Sequence, residues 1–425
     1  MGQTMQANTQ PILVARRAGR SPSGHWDFGG EREPLMHRIH AYPAKFPAFI
    51  TQKAVAYATE RGVKVNRIAD VFCGCGTTAL EAKRINTAFW GCDINPVATL
   101  IARVKREDYQ PTHLQNHASR VLNAFDRARH RPHPRQQDDD RLRYWYDDDR
   151  IRSLARLKDA VESLPEGKYR NFFLCAFSNI LKPTSRWLTK SIKPQVDPDK
   201  DAADVRSAFD TQAAFMIKAA RESCQHTRPE SAIVTGNFLE MDIAEPFADL
   251  IVTSPPYVTS YEYADLHQLS TLWLGYTDDY RKLRCGTIGS LYHDSDFTRD
   301  VNQLNPTGHG IVFRLYDVEH RKARATARYF VDMHRTVKQC RKVLRPGGMV
   351  LFVIGNTEYK GVKVDNAAYL RECLVQEGFS DVETAQRKVS SKILTPYRDT
   401  LGRFSTDATS RKVYAEEFIV TGRNT

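Results

Sequence analysis

The stretch "RIADVFCGCGTT", residues 67–78, decides the fold of this chain, because a short apolar strand runs straight into a glycine-rich turn. "RIADVF" predicts a strand, "CGCG" a turn, and the following "TTALEAKRI" a helix. Gly74 and Gly76 let the backbone turn sharply and approach a ligand closely. We expect Thr77 or Thr78 to cap the helix, with an acid close behind.

The same strand–helix alternation continues along the chain. "TAFWGCDI" predicts a second strand and "NPVATLIARVK" a second helix, which together favour a parallel sheet with helices on its faces. The alternation resumes at Ala232 and includes a long basic helix that we expect to end at "RPGG". From Ala232 onward the predicted strands are "AIVTG", "ADLIVTS", "MVLFVIGN", "DVETAQRKV" and "EEFIVTG".

Between the two halves of this pattern lies a segment of different character. Its apolar residues recur at three- and four-residue spacing, which is typical of amphipathic helices. The run "RYWYDDDR" within it is interpreted as a solvated loop packed by its aromatic rings. We therefore predict a flexible arm, a cofactor-binding half, a mainly helical insertion that is a candidate for DNA recognition, and a catalytic half: residues 1–36, 37–105, 106–231 and 232–425.

The composition limits the class of protein. The 425 residues carry 62 Lys and Arg against 50 Asp and Glu, a net charge of +12, which suits a polyanion such as nucleic acid. No apolar run reaches the roughly 18 residues that a membrane span needs, and the N-terminus lacks an apolar signal core, so we expect a cytoplasmic protein with no membrane partner. The 8 cysteines are too few for a disulfide scaffold and lack zinc-ligand spacing, so we predict no metal.

An acid after the second strand suggests what the glycine turn binds. Asp93 ends that strand about twenty residues beyond the turn, where a carboxylate can accept both ribose hydroxyls of a nucleoside. The third glycine expected for a dinucleotide is replaced by Thr78 and Ala79. The pattern therefore favours a nucleoside without a phosphate bridge, and S-adenosylmethionine fits. The plain alternative is a tight strand–helix turn with no ligand.

A second unusual stretch is "TSPPY", residues 253–257, which follows the strand "ADLIV". Proline cannot donate to a sheet ladder and fixes its own φ, so the strand must end in a stiff tip. In a doubly wound sheet ligands lie beyond the carboxyl ends of the strands. A serine hydroxyl and a fixed carbonyl there can accept the N–H groups of an exocyclic amine, and the tyrosine face can stack on a flipped base. The plain alternative is a strand terminator with a packed tyrosine.

These stretches together resemble one family. "TSPPY" is similar to the catalytic motif of DNA amino-methyltransferases, and "DVFCGCGTT" resembles their S-adenosylmethionine motif. "HAYPAKFPAFI", residues 40–50, resembles the segment that precedes the glycine motif in the cytosine-N4 branch, and the similarity runs from about His37 to the C-terminus. The resemblance implies an α/β class I S-adenosylmethionine-dependent methyltransferase fold with a helical insertion, and an enzyme of the restriction-modification type.

The resemblance also implies roles for individual residues. Asp93 is expected to bind the ribose and Ile94 to pack on the adenine, while Asn237 stands where an acid is usual and must serve through its side-chain oxygen. The tetrapeptide would bind and orient the target amine. The matched catalytic residues are Ser254, Pro255, Pro256 and Tyr257, and the other matched cofactor residues are Lys45, Phe46, Pro47, Asp70, Phe72, Gly74, Gly76 and Thr77.

The base and the reaction follow from the first residue of the tetrapeptide. In the family a serine there goes mainly with cytosine, which implies direct in-line attack of the N4 amine of a flipped-out cytosine on the donor methyl group. Transfer to cytosine carbon 5 needs a cysteine nucleophile, usually after a proline, and no cysteine here follows one. An adenine-N6 enzyme, an RNA-amine methyltransferase and a non-catalytic DNA-binding subunit stay open as alternatives.

The expected partners are double-stranded DNA and a cognate restriction endonuclease or other defence-system protein. Two regions are candidates for DNA contact, the helical insertion and the basic stretch from Arg281 through Arg345. "RKLRCGTIGS" and "HRKARATARYF" carry the charge in that stretch. We interpret His267 and His320 as packing or surface residues.

Overall fold

The structure is a computed structural model. It describes most of the chain outside the N-terminal segment and the loops before the last strand. The described residues are 24–27, 32–43, 45–128, 140–189, 191, 193–224, 229–258, 262–290, 296–388, 397–398, 404–405, 411–412 and 416–425.

A seven-stranded sheet forms the centre of the fold, in the order β3-β2-β1-β4-β5-β12-β8. All neighbouring pairs from β3 to β5 are parallel, and β12 runs antiparallel to both β5 and β8. This order confirms the predicted class I methyltransferase fold. The sheet strands are β1 Arg67–Asp70, β2 Ala88–Asp93, β3 Ser231–Thr235, β4 Ala248–Thr253, β5 Leu344–Gly355, β8 Phe379–Lys388 and β12 Glu416–Asn424.

The remaining strands are short. β6 and β7 form an antiparallel hairpin directly after β5, and β9, β10 and β11 form a small separate sheet. Their bounds are β6 Thr357–Tyr359, β7 Val362–Val364, β9 Tyr397–Arg398, β10 Phe404–Ser405 and β11 Arg411–Lys412.

Helices cover both faces of the central sheet, since alternate residues of a strand point to opposite sides. Leu250 and Val252 of β4 pack with the first two helices, whereas Ile251 packs with the long helix before β5. The helices, numbered in chain order, are α1 Phe49–Glu60, α2 Thr77–Arg84, α3 Pro96–Arg106, α4 Pro111–Arg127, α5 Asp140–Trp145, α6 Asp148–Glu162, α7 Lys168–Ile180, α8 Val205–Glu222, α9 Tyr263–Leu266, α10 Gln268–Trp273, α11 Phe297–Val301, α12 Pro306–Tyr316, α13 His320–Val343 and α14 Asn366–Gln376. Short 3-10 helices span Leu35–Arg38, Phe238–Glu240 and Tyr280–Arg284.

The helical insertion lies between α3 and β3 and comprises α4 to α8. It does not have a core of its own. One apolar cluster joins Leu154 and Phe177 of the insertion to Ile101 of α3 and Trp273 of α10. The ring of Phe177 meets that of Trp273 edge-on at 5.9 Å. The insertion is therefore packed onto the cofactor-binding half through the outer face of α3.

Two local expectations differ from the structure. The first residue before α2 is Gly76, in the left-handed region at φ 77°, and it caps the helix without a side-chain hydrogen bond. Thr77 and Thr78 are buried inside the helix, so the predicted threonine cap is wrong. A Cβ on Gly76 would lie 2.7 Å from Cα of Ala102, which shows that close packing against α3 selects glycine there. The buried carboxylate of Glu81 instead bonds His37 Nε2 at 2.8 Å.

The second difference concerns segment boundaries. α13 ends at Val343, as "RPGG" predicts, but the four residues of that motif already belong to β5. The run "RYWYDDDR" is part of α5 and the start of α6, with Trp145 and Tyr146 buried, and not a solvated loop.

The N-terminal arm lies mostly outside the described residues. Its described part holds Trp26, which is buried beside Tyr57 of α1 at a ring distance of 5.4 Å. Within the described ranges, every helix is too short or too polar to cross a bilayer.

Candidate active site

The glycine turn lies at the carboxyl end of β1, in the centre of the sheet. Gly74 has φ 46°, a conformation that side chains rarely adopt. The ring of Tyr42 covers this glycine, with its Cε1 3.6 Å from the position that a Cβ would take. One side of the turn is therefore closed by an aromatic ring.

Asp93 ends β2 and faces the same turn. Its carboxylate accepts a hydrogen bond from the amide of Gly74 at 2.9 Å and one from Asn95 at 2.8 Å. Burial raises the pKa of Asp93 to about 6, and these two amide bonds limit the rise. Each carboxylate oxygen retains a lone pair for another donor, so the residue fits a ribose hydroxyl.

Ile94 and Asn237 come together beyond β2 and β3. A Cβ on Gly286 would lie 3.1 Å from Ile94 Cδ1 and 3.4 Å from Asn237 Nδ2, so three chain segments meet at this point. Asn237 Oδ1 accepts the amide of Leu239 at 3.1 Å, and Nδ2 donates to Glu240 at 2.7 Å. The Asn237 amide is thus oriented by its own turn, and its oxygen keeps one free lone pair for a ligand.

The segment before α1 is held in place by contacts of its own. Lys45 Nζ donates to the carbonyl of His37 at 3.1 Å and pairs with Glu33 at 3.4 Å, while Phe46 packs against the core. The carbonyl of Pro47 accepts the amide of Ile50 in the first turn of α1. Tyr42 of the same motif contacts the glycine turn, and cofactor binding by Lys45, Phe46 and Pro47 stays a prediction.

Tyr42 belongs to an aromatic group next to the turn. Its ring stacks on His267 at 4.9 Å and on Tyr263 at 6.3 Å. His267 Nδ1 lies 3.0 Å from Asn95 Nδ2, and burial lowers the pKa of His267 to about 4, so the imidazole is neutral at neutral pH. His267 therefore packs against the site, as its interpretation as a packing residue proposes.

A short hydrogen-bond chain connects the cofactor turn to "SPPY". Thr253, the last residue of β4, donates to Asp70 Oδ1 at 2.7 Å and accepts the amide of Phe72 at 3.1 Å. Burial raises the pKa of Asp70 to about 6, against the lowering effect of the Thr253 bond. Since β1 and β4 are neighbours in the sheet, this chain fixes the two loops relative to each other.

The tetrapeptide itself lies at the carboxyl edge of the sheet. Pro255 is buried, while Ser254, Pro256 and Tyr257 are half-buried. Burial raises the pKa of the Tyr257 hydroxyl well above its usual value, while the neighbouring Ser254 acts in the opposite direction. A Cβ on Gly355, at the end of β5, would lie 2.8 Å from Tyr257 Cε2. The tyrosine ring thus rests directly on the backbone of the neighbouring strand.

Four residues that contribute to this site were not predicted from the sequence. Tyr42 lies before the glycine turn and Thr253 lies at a strand end, both within motifs quoted above. These positions were the available signal. Gly355 ends the predicted strand "MVLFVIGN", where a glycine indicates a close backbone approach. Gly286 has no local signal, because its partners follow β2 and β3.

The two basic stretches differ in how their charges are used. In "RKLRCGTIGS" each basic side chain is paired, Arg281 with Asp279, Lys282 with Asp278 and Arg284 with Asp265. In the described part of "HRKARATARYF" the exposed Arg321 and Arg324 form no ion pair, whereas Arg328 pairs with Asp300 and Asp332. Of the two stretches, the second therefore carries positive charge that no described acid pairs.

Comparisons with known proteins indicate which family this chain resembles. The N6/N4 DNA methylase family matches residues 4–103, which contain the glycine turn and Asp93. The Type II methyltransferase M.MvaI of Kocuria varians is 21% identical over 385 residues, covering 84% of this chain and 85% of the relative. Both matches confirm the resemblance of this chain to DNA amino-methyltransferases. S-adenosylmethionine, the cofactor that the glycine turn and Asp93 predicted, is the methyl donor of this DNA methyltransferase.

Two solved structures also align over most of the chain. An rRNA methyltransferase from Streptomyces viridochromogenes has 9% identity and a TM-score of 0.29, with 96% of this chain and 94% of that chain covered. An S-adenosylmethionine-dependent methyltransferase from Methanosarcina mazei has 9% identity and a TM-score of 0.29, with 86% and 96% covered. The fold assignment rests on the strand order of the central sheet and not on these alignments.

Proposed function

We propose that this methyltransferase modifies the exocyclic N4 amine of a cytosine that is flipped out of duplex DNA. The main support for this proposal is the position of "SPPY" at the end of β4, the strand next to β1 and its glycine turn. Tyr257 is held there against Gly355. The leading serine favours cytosine over adenine within the family. Adenine-N6 transfer is the alternative that the same geometry allows.

The cofactor is assigned to the groove over β1, β2 and β3. The cradle at Gly74, the carboxylate of Asp93 and the apolar side chain of Ile94 fit the backbone, ribose and base of a nucleoside. Asn237 is proposed to contact the adenine through its oxygen. When bound, S-adenosylmethionine supplies an electrophilic methyl group next to the tetrapeptide.

The tetrapeptide residues are proposed to prepare the amine. The hydroxyl of Ser254 and the carbonyl of Pro255 accept its two N–H groups, which favours the pyramidal and nucleophilic form of nitrogen. The same acceptors stabilise the positive charge that develops on that nitrogen. The proton that leaves afterwards passes through Ser254 to water.

Tyr257 is proposed to hold the flipped base. Unstacking a base costs a few kcal/mol, which stacking on an aromatic ring offsets. The ring cannot retreat, because Gly355 and the core side chains around it support its other side. The base is therefore held at a fixed height above the sheet.

The biological setting is a proposal of the same kind. The match to a Type II methyltransferase supports a role in restriction-modification, with a cognate endonuclease or another defence-system protein as partner. Duplex DNA is the proposed substrate, and the cytoplasmic location stays a prediction.

Nucleoside mass spectrometry tests the function directly. Duplex DNA is incubated with the protein and S-adenosylmethionine, digested, and analysed for N4-methylcytosine and N6-methyladenine. We expect N4-methylcytosine from the native chain, none from Tyr257→Ala, and native levels from Val375→Ala, which changes an exposed side chain of α14 outside both candidate DNA-contact regions. N6-methyladenine would overturn the choice of base, and RNA methylation alone would overturn the substrate. Cofactor binding without any methylated product would favour a non-catalytic subunit.

A further inference from the structure

An exposed aromatic surface lies on α12 and at the start of α13. Phe313 is 55% exposed, Tyr316 37% and Val318 40%, an unusual concentration of large apolar side chains on six consecutive residues. Tyr316 is the centre of a three-ring stack, 5.3 Å from Phe297 and 4.0 Å from His320, with near-parallel planes. Such a surface on a folded protein marks a site of interaction.

This surface lies at the same edge of the sheet as the active site. α13 leads directly into β5 and packs along the sheet, so its N-terminus lies at the carboxyl end of β5. The β6–β7 hairpin, which begins where β5 ends, confirms this position. Tyr359 and Lys360 of the hairpin both bond the carboxylate of Glu319, and the Lys360 contact is 3.0 Å long.

The first turn of α13 also lies near Glu262, the residue before α9. Lys322 Nζ lies 5.3 Å from the ring centroid of Tyr359. Burial lowers the pKa of Lys322, while Glu319 and Glu262 act in the opposite direction through their charge. Glu262 is five residues beyond Tyr257, so the first turn of α13 is near the catalytic loop.

The charge of the surface suits a polyanion. Residues 309–324 carry four basic side chains, Arg314, Arg321, Lys322 and Arg324, against the acids Asp317 and Glu319. The charge of Glu319 is already balanced by Lys360. Arg314, Arg321 and Arg324 are exposed and form no ion pair with any described residue, so their guanidinium groups are available for phosphate.

We propose that this surface, formed by Phe297, Phe313, Arg314, Tyr316, His320, Arg321 and Arg324, binds the duplex DNA that flanks the target base. The arginines contact phosphates, and the ring stack packs on sugars and on bases that lose their neighbours when the target base is flipped. The combination of free guanidinium groups and exposed rings fits nucleic acid better than an apolar protein partner. The inference rests on the proposed function, because it takes duplex DNA as the substrate.

The opposite end of α13 provides a matched control. Lys338 and Lys342 are exposed and, like the two arginines, form no ion pair within the described chain. A helix rises 1.5 Å per residue, so Lys342 lies about 30 Å from Arg321. Both double variants, Arg321→Ala with Arg324→Ala and Lys338→Ala with Lys342→Ala, remove the same charge from the same helix.

The experiment measures the affinity for labelled duplex DNA by fluorescence anisotropy at salt concentrations from about 50 to 200 mM. Counterion release makes affinity fall steeply over this range. Each lost phosphate contact reduces the slope of log affinity against log salt by about 0.9. We expect the arginine double variant to bind more weakly and its slope to be shallower by about 1.8, for two contacts. The lysine double variant keeps the native affinity and slope.

A third variant separates the rings from the charges. Tyr316→Ala removes the centre of the stack without changing the charge, so we expect weaker DNA binding at an unchanged salt slope. Thermal melting of each variant checks that the helices are folded. A slope and affinity that do not change in the arginine variant, or an equal loss in both double variants, would overturn the surface.

The readout distinguishes this inference from the proposed function. The binding assay needs no methyl transfer, so a native chain that binds DNA but yields no methylated base would contradict the function and not the surface. Methylation that is unchanged in the arginine variant, with unchanged binding, contradicts the surface alone. A native chain that binds no duplex DNA contradicts both.

Discussion

Tyr257 depends on a residue that has no side chain. Its ring edge lies where a Cβ of Gly355 would stand, so the neighbouring strand sets the height of the ring above the sheet. The orientation of the Tyr257 ring is thus decided by a backbone contact with the neighbouring strand.

Gly355→Ala is expected to lower kcat by about 10- to 100-fold, because a displacement of about 1 Å at a positioned group has an effect of this size. The affinities for S-adenosylmethionine and DNA should change little, since their proposed contacts lie elsewhere. Single-turnover kinetics and equilibrium binding check the separation.

Gly308→Ala is the matched control, because its Cβ would lie 2.7 Å from Cε2 of another tyrosine, Tyr369. Both variants should lose about 1–3 kcal/mol of stability through overpacking. A fall in kcat that is equal in the two variants would mean that general destabilisation, and not the position of Tyr257, causes it.

Asp93 predicts a pH dependence of cofactor binding. Its pKa of about 6 in the folded protein is raised by burial, and only the ionised form accepts two ribose hydroxyls. Below pH 6 the carboxyl is protonated and must lose its proton on binding, so affinity should fall by about tenfold per pH unit. Above pH 7 the affinity should be constant. Calorimetric titration with S-adenosylmethionine from pH 5 to pH 8 measures this.

Two isosteric variants assign the effect. Asp93→Asn should bind weakly with no pH dependence in this range. Asp70→Asn should keep the dependence, although the pKa of Asp70 is also about 6, because its carboxylate bonds Thr253 and Phe72 and not the ribose site. A native affinity that is constant down to pH 5 would rule out Asp93 as the ribose acceptor.

At the scale of the element, α2 illustrates how packing replaces a local signal. A threonine cap is favoured by the sequence, but the first turn of α2 packs so closely on α3 that its threonines are buried. Gly76 serves as cap because it tolerates a positive φ and has no Cβ to collide with Ala102. The helix start is therefore decided by the neighbouring helix.

Gly76→Ala should reduce the free energy of unfolding by about 3 kcal/mol or more, the sum of left-handed strain and overpacking. Gly62→Ala has a similar φ of 80° but no atom within 4 Å of the new Cβ, so it should lose only about 1 kcal/mol. Urea denaturation of the two variants isolates the packing contribution. Equal losses of unfolding free energy in the two variants would show that the chain relieves the contact with Ala102 without an energetic penalty.

At the scale of the whole molecule, the insertion and the cofactor-binding half share one apolar cluster. Phe209 lies deep in the insertion and packs near Phe173, while the same cluster extends to α3 and Trp273. Because the insertion cannot unfold without exposing the outer face of α3, the two parts should lose structure together.

Phe209→Ala is expected to reduce the free energy of unfolding by about 3–5 kcal/mol. The unfolding temperature followed by tryptophan fluorescence and the temperature of S-adenosylmethionine release should fall by equal amounts. Phe352→Ala, which removes an equally buried ring from β5, should lower the same single transition. If the Phe209→Ala variant still bound the cofactor at a temperature where its helical insertion had unfolded, the idea of a shared core would be contradicted.

The sequence by itself determined the sheet and the identity of the chemical groups. Strand–helix alternation, the glycine turn, Asp93 and "SPPY" are local patterns, and local patterns are readable because each follows from the backbone preferences of a few neighbouring residues. The strand order of the central sheet then confirms the predicted fold class.

Only the tertiary structure decided which residues complete the site. Tyr42 above Gly74, Gly286 beside Ile94, Thr253 bonded to Asp70 and Gly355 beneath Tyr257 all join segments that are distant in sequence. The side chain of Lys45 bonds Glu33 and the carbonyl of His37, contacts that its own motif does not specify. The physical reason is that a contact across the sheet depends on register and packing of separate strands, which no single segment specifies.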